Sequence, residues 1–90
     1  MKRFVIERDI PDIGKASKAD LKDASKTSNK AIAEVGKVKW EHSYVTANKT
    51  FCIYQAENEA AIHAHAKASG FPASRIYEVV NIISPDTAKG

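Results

Sequence analysis

The sequence predicts an α+β fold of the ferredoxin-like type, in which two helices cover one face of a four-stranded antiparallel sheet. The length of 90 residues is typical of a single domain. Along the chain, a strand pattern is followed by a helix pattern, two strand patterns, a second helix pattern and a last strand pattern. The resulting order β-α-β-β-α-β is the order found in ferredoxin-like sandwiches.

A clear stop separates the first strand from the first helix. The predicted strand spans Lys2–Asp9 and ends in the segment DIPDIG, where Pro11 lacks a backbone donor. Ser17 and Asp20, three residues apart, resemble a capping box, and the predicted helix runs on to about Glu34. Small and apolar side chains recur on one helix face at steps of three or four residues: Leu21, Ala24, Ser28, Ala31, Ile32 and Val35.

The second half of the chain predicts a hairpin, a short helix and a strand. The run Val38–Tyr54 has β-branched and aromatic residues on both sides of a polar turn, which is typical of a β-hairpin. Asn58 is a suitable N-cap and Gly70 a suitable end for a helix over Glu59–Ser69. The last predicted strand covers Arg75–Ser84.

The register of the hairpin decides which side chains share a face of the sheet. A three-residue connection over residues 47–49 places Tyr44 opposite Cys52 and His42 opposite Tyr54, so that all four share one face. A two-residue connection over residues 47 and 48 instead places Ser43 opposite Cys52. We favour the three-residue connection, because the turn lacks the Asn-Gly or Asp-Gly pair of a tight hairpin.

Composition and charge restrict the classes of partner. The net charge is only +3, and the lysines between residues 15 and 30 recur at the spacing of a solvated helix face, so we expect no nucleic-acid partner. No apolar run approaches the ~20 residues of a membrane span, and the first ten residues lack the apolar core of a signal peptide. With its single cysteine, the chain is expected to be cytoplasmic. Residues 1–84 form the predicted domain and residues 85–90 a loose tail.

The sheet face without helices predicts a homodimer. In a domain of this size an open sheet face must be polar, hold a pocket or pack on a second copy. The chain carries more aromatic and apolar strand residues than one small sheet would leave in water, although some of them must face the helices: Trp40, Tyr44, Tyr54, Tyr77 and Val79.

His42 and Cys52 are candidate metal ligands on the hairpin. Imidazole and thiolate suit divalent metals such as nickel, copper and zinc. One His and one Cys do not form a metal site by themselves, and the chain has no CxxC or HxxxH pair. His42 also fits a hydrogen-bonded pocket histidine, and Cys52 a buried small apolar residue.

Further candidates lie on the first strand and the second helix. Glu7 follows the apolar residues of the first strand, so we expect it on the open face, as a metal ligand or as an ion-pair partner of Arg3, Arg8 or Arg75. His63 and His65 are two residues apart, and on a helix such residues point in nearly opposite directions. We therefore expect His63 in solvent, and His65 near the core or a pocket rim, where a hydrogen bond to a backbone carbonyl is the alternative role.

Several phrases of the chain resemble the DUF4242 family of small bacterial proteins, which includes nickel-binding, nickel-responsive members. They are VIERDIP-IG near the start, W-HSYVT and K-FC-Y in the hairpin, and HA-ASGFPASRIYEV near the end. The resemblance covers roughly residues 3 to 83. It implies a ferredoxin-like subunit, a homodimer of the dimeric α/β-barrel kind and a nickel site. The residues within matching blocks are Glu7, His42, Tyr44, Cys52, Tyr54 and His65.

The leading interpretation is therefore a cytoplasmic homodimeric protein that binds and sequesters nickel rather than catalyses a reaction. Its metal ligands are expected among His42, Cys52, Glu7, Tyr44 and His65. One alternative is a cofactor-free monooxygenase of the dimeric α/β-barrel class, with His42 or Glu7 as general base in a pocket on the open face. The other is an interaction module without small-molecule chemistry.

Overall fold

The computed structural model describes residues 1–89 and confirms the predicted ferredoxin-like arrangement. The elements are β1 (Lys2–Asp9), a 3₁₀ helix (Ile13–Lys15), α1 (Lys18–Val35), β2 (Val38–Val45), β3 (Lys49–Ala56), α2 (Glu59–Ser69), β4 (Arg75–Val79) and a final 3₁₀ helix (Pro85–Lys89). The strands lie in the order β2-β3-β1-β4, and every neighbouring pair is antiparallel. Within the described residues, neither helix combines the length and the apolar character that crossing a membrane requires.

Helix α1 begins at the predicted capping box. The backbone N–H of Asp20 donates to Ser17 Oγ at 3.1 Å, and the backbone N–H of Ser17 donates to Asp20 Oδ2 at 3.2 Å. These two bonds satisfy amide groups that have no partner within the helix. The helix ends at Gly36, whose φ is 78°. Its small and apolar stripe faces the sheet, with Ser28 and Ala31 fully buried.

Helix α2 is shorter and is held by caps at both ends. Asn58 Oδ1 accepts a hydrogen bond from the backbone N–H of Ala61 at 3.0 Å. At the other end, Gly70 has a φ of 77° and donates its N–H to the Ala66 carbonyl. Three of its side chains, at steps of three and four residues, are buried against the sheet and α1: Ile62, His65 and Ser69.

The left-handed conformation of Gly70 makes it sensitive to substitution. We expect Gly70→Ala to lower the free energy of unfolding by about 1 kcal/mol, because an L side chain resists a positive φ at this cap. No atom lies within 4 Å of the added Cβ, so the cost comes from the backbone rather than from a clash. Urea unfolding measures the effect, and Gly70→Asn is the control with a smaller expected loss. Equal midpoints for Gly70→Ala and wild type would contradict the prediction.

Strand alternation gives the sheet a helix-covered face and an open face. On β3 the side chains of Thr50, Cys52, Tyr54 and Ala56 are buried beneath the helices, while their neighbours on the open face are half-buried. The hydrophobic core lies between the covered face and the two helices. Its buried members are Phe4, Ile6, Val38, Cys52, Tyr54, Ala56 and Ile62.

The predicted three-residue connection of the hairpin is wrong, and the structure has the two-residue alternative. Ser43 lies opposite Cys52 and Tyr44 opposite Phe51, around a loop of residues 47 and 48. Thr46 closes this loop, because its Oγ1 accepts from the backbone N–H of Lys49 and donates to the Lys49 carbonyl. This closure replaces the Asn-Gly chemistry that we expected of a short turn.

The segment after β1 also holds the loop in place. The backbone N–H of Asp12 donates to Asn48 Oδ1 at 2.9 Å, and the N–H of Gly14 donates to the Ala47 carbonyl at 3.0 Å. A Cβ on Gly14 would lie 2.8 Å from the Ala47 Cα, so this close approach requires glycine. These contacts come from residues more than thirty positions away in the sequence, which a local turn rule does not consider.

A β-bulge in β2 changes the alternation further along the hairpin. Trp40 lies opposite Tyr54 and His42 opposite Ile53, which leaves Glu41 as the extra residue. As a result, Trp40 faces the helices although it is two residues from His42. Glu41 receives hydrogen bonds from Arg3, at 2.6 Å to Nε, and this contact lowers the pKa of its carboxyl group.

The C-terminal part differs from the prediction. Strand β4 ends at Val79 rather than at Ser84, and three apolar side chains beyond it are exposed: Val80, Ile82 and Ile83. Residues 85–89 form an exposed 3₁₀ helix, and their role as a tail stays a prediction. Gly90 lies outside the described residues. The domain boundary after residue 84 stays a prediction.

Candidate functional site

The open face of the sheet carries both apolar and polar side chains. Two adjacent rows of cross-strand neighbours cross its middle. From β2 to β4, the first row is Tyr44, Phe51, Glu7 and Arg75, and the second is His42, Ile53, Val5 and Tyr77. The two phenol groups stand on the edge strands and are more than half exposed.

His42 and Tyr44 form an exposed pair on the edge strand β2. The Nε2 atom of His42 lies 3.1 Å from Tyr44 Oη, and the two rings meet edge to face at a centroid distance of 5.0 Å. The pair lies on the open face, as predicted for these two residues. It offers one imidazole and one phenol oxygen to a ligand.

Glu7 lies on the open face, as expected, where two basic side chains hold its carboxylate. Arg75 donates to Glu7 Oε2 through Nε at 2.8 Å and also through Nη2, and Lys49 donates to the same oxygen at 2.8 Å. These contacts, led by the Arg75 hydrogen bond, lower the pKa of Glu7 to about 2. Asp9 lies beside them and completes a network of two acids and two bases. A carboxylate with such a low pKa is a weak proton acceptor, which argues against Glu7 as a general base at neutral pH.

The depressed pKa of Glu7 predicts a component of stability that depends on pH. An unfolded glutamate titrates near pH 4.5, and the folded one near 2, so this component is fully present above about pH 4.5. It is lost as the pH falls from about 4.5 towards 2. We expect Glu7→Gln to unfold more easily than wild type at pH 7, with the difference closing at pH 2.5.

Urea melts at pH 7, 4 and 2.5 measure this difference. Glu57→Gln is the matched control. Glu57 is exposed in the loop before α2, and its substitution removes the same charge as Glu7→Gln. If the difference in the free energy of unfolding between Glu7→Gln and wild type stays constant over this pH range, the titration does not belong to Glu7.

Cys52 and His65 lie on the covered side of the sheet, away from His42. The Cys52 thiol is buried and donates to Thr50 Oγ1 at 3.5 Å. His65 is fully buried, with Nε2 3.3 Å from Ser28 Oγ and 3.4 Å from the Ser28 carbonyl. Burial lowers the pKa of His65, which favours the neutral imidazole, and its Nδ1 has no hydrogen-bond partner within residues 1–89. His65 therefore touches the core, as expected.

His63 is exposed, as expected from its direction on the helix. Its Nε2 lies 4.0 Å from a carboxylate oxygen of Glu59, one turn earlier on α2. The pair is on the opposite side of the molecule from the open face, because both helices cover the other side of the sheet.

The five predicted metal ligands do not converge on one point. Glu7 is separated from Tyr44 by Phe51, which corresponds to two strand spacings, or about 10 Å. Cys52 and His65 face the helices instead. Among residues 1–89, no three or more His, Cys, Asp or Glu side chains are close enough together to hold a metal ion. Of the five, one chain brings together only His42 and Tyr44.

A cavity of about 400 Å³ lies on the covered side, between the N-terminal half of α1 and the sheet. Its wall is largely apolar and includes Leu21, Trp40, Tyr54 and Phe71, together with the charged side chain of Arg8. Tyr54 is held by a hydrogen bond of 2.9 Å between its hydroxyl group and Ser28 Oγ, and burial raises its pKa. The exposed Pro11 and Val45 also line the cavity, so it opens to the surface.

The sequence reasoning did not identify Arg8 as a site residue. The signal was present, because Phe4, Ile6 and Arg8 alternate along β1 and thus share the covered face. We considered Arg8 only as a partner of Glu7, which lies on the opposite face.

The fold and the two-sided sheet define a small ferredoxin-like α+β protein with an exposed imidazole on its open face and a cavity under its helices. A family model described as nickel responsive protein SCO4226-like matches residues 4–79, and the chain belongs to this family. The DUF4242 label stays a prediction that is compatible with it.

A solved structure supports the fold. The crystal structure of SCO4226 from Streptomyces coelicolor A3(2) is similar to this chain with a TM-score of 0.76. The two are 15% identical, and the similarity covers 90% of this chain and 99% of that one. No curated protein matches the sequence.

Proposed function

We propose that this chain is a cytoplasmic, homodimeric nickel-binding protein in which His42 supplies the nitrogen ligand and the second subunit completes the site. The observation that carries the proposal is the exposed His42–Tyr44 pair on the open face, in a member of a family described as nickel responsive. Imidazole is a suitable ligand for nickel. Its position on an edge strand leaves it accessible to a metal ion and to a neighbouring subunit.

The composition of the open face supports the dimer. Val5, Phe51 and Ile53 form an apolar centre, which the half-exposed Tyr44 and Tyr77 extend to both edges. Apolar patches of this kind mark surfaces that associate. The exposed apolar residues that follow β4, Val80, Ile82 and Ile83, add to the apolar surface of the chain.

The incomplete ligand set of one chain also favours a shared site. A single subunit offers His42 and Tyr44 at one place, which is fewer than the four or more ligands that a transition metal usually takes. A second copy would bring another imidazole and further oxygen donors to the same surface. Glu7 is a less suitable ligand than we expected, because Arg75 and Lys49 already occupy its carboxylate.

The direct test is to purify the untagged protein, remove its metals and measure nickel binding by equilibrium dialysis. Light scattering after size exclusion gives the mass of the same samples. We expect about twice the chain mass of 9.8 kDa and an integral number of nickel ions per dimer. A monomer at micromolar concentration, or a protein that takes up no nickel, would refute the proposal.

A further inference from the structure

The buried guanidinium group of Arg8 has no carboxylate partner among the described residues. Only 2% of its surface is exposed. Its Nη1 donates to the Pro72 carbonyl at 2.7 Å and, more weakly, to the Phe71 carbonyl at 3.5 Å. Its Nη2 is buried without a hydrogen-bond partner. A buried charge is normally paired with an opposite charge, so this arginine is incomplete as it stands.

The cavity beside Arg8 results from the sequence of α1. Towards its middle, the helix presents the small side chains Ala24, Ser25 and Ser28 to the sheet. Larger residues at these positions would have filled the space between the helix and the aromatic side chains below. A largely apolar space of this size, with a few polar groups in its wall, has the character of a small-molecule site.

We propose that this cavity binds a small organic anion, with its carboxylate on Arg8 and its apolar body between α1 and the sheet. An arginine side chain recognises carboxylates with two parallel hydrogen bonds, of which the unpartnered Nη2 can supply one. This inference is independent of the nickel site, because the cavity lies on the other face of the sheet.

The surroundings of Arg8 position the guanidinium group for this role. The ring centroids of Tyr54 and Phe71 lie 6.0 and 5.8 Å from its Cζ atom, and its contacts with the Phe71 and Pro72 carbonyls fix one side of the group. No acidic side chain forms an ion pair with it among residues 1–89. Asp9 also lines the cavity, but its carboxylate pairs with Lys49 and Arg75 instead. Because Nη2 itself is buried, the proposal requires the guanidinium group to turn towards the cavity when the ligand binds.

The single tryptophan gives a direct readout of the cavity. Trp40 lines it, and the indole N–H donates to Ser43 Oγ at 3.0 Å. Titration of the metal-free protein with octanoate and with octan-1-ol, followed by Trp40 fluorescence and by the NMR shift of the indole N–H, compares an anion with an uncharged molecule of the same length. We expect saturable binding of octanoate that is at least about tenfold tighter than binding of octan-1-ol.

Two variants separate the role of Arg8 from an unspecific effect of charge. Arg8→Met keeps about the length of the side chain and removes the charge. Proteins often tolerate the replacement of a buried ionic side chain by an apolar one of similar size. We expect it to bind octanoate about tenfold or more weakly than wild type and to bind octan-1-ol at least as well, which also reports an intact cavity. Arg3→Met removes the same charge from the open-face side of β1, where Arg3 pairs with Glu41, and should leave octanoate binding unchanged.

Three results would overturn the proposal. They are equal affinity of wild type for the two compounds, no saturable change at Trp40 with either compound, and an undiminished preference for octanoate in Arg8→Met. None of these results depends on nickel or on dimerisation, so failure here leaves the nickel proposal standing.

Discussion

His42→Ala is expected to weaken nickel binding by more than about 100-fold. Loss of a residue that only supports a metal ligand usually costs about 10–100-fold, and loss of a ligand itself should cost more. Titration calorimetry with nickel at pH 7.5 measures the effect.

His63→Ala is the matched control for this experiment. It removes an exposed imidazole from α2, on the side of the molecule away from the open face. We expect it to bind nickel like the wild type. Nickel binding that survives in His42→Ala but disappears in His63→Ala would place the site on the helices and refute the open-face proposal.

Ile53→Glu is expected to convert the proposed dimer into a monomer. Ile53 lies in the centre of the open face, between His42 on β2 and Val5 on β1. An uncompensated charge buried in an interface costs about 3–5 kcal/mol, which raises the dissociation constant by about two to three orders of magnitude or more. If nickel is held between subunits, the same variant should lose nickel binding although its own His42 is intact.

Ala60→Glu is the control for the added charge. Ala60 is exposed in the first turn of α2, where a negative charge is favourable, and it is remote from the open face. We expect this variant to stay dimeric and to bind nickel. Light scattering and equilibrium dialysis on both variants at one protein concentration give the comparison. A monomeric Ile53→Glu that still binds nickel at full affinity would show that one chain holds the metal alone.

The sequence was sufficient for features that depend on local chemistry. Ser17 and Asp20 form the predicted capping box, because the two side chains need only the helix start that they cap. Gly70 ends α2 in the predicted left-handed conformation. His63 and His65 separate into solvent and core, since helical spacing alone sets their directions.

The candidate site was less predictable because it depends on contacts between distant segments. The hairpin register follows from Thr46 and from the packing of residues 12–14 on the turn, and neither effect is visible in the hairpin sequence itself. With that register, Cys52 lies on the covered face, which leaves His42 with Tyr44 only. The sequence also does not show that Arg8 is buried without a carboxylate partner among the described residues. Its surroundings come from segments that are distant in the sequence, such as Phe71 and Pro72.

The extra residue in β2 also matters for comparing this chain with distant relatives. A relative whose second strand lacks a bulge keeps a strict two-residue alternation through that strand. Aligned without a gap, its residue in the column of Trp40 would face away from its helices, whereas Trp40 itself faces them. At an identity as low as 15%, such a shift of phase is easily overlooked. A one-residue gap at Glu41 restores equivalent faces, so alignments of this strand are best built from structures.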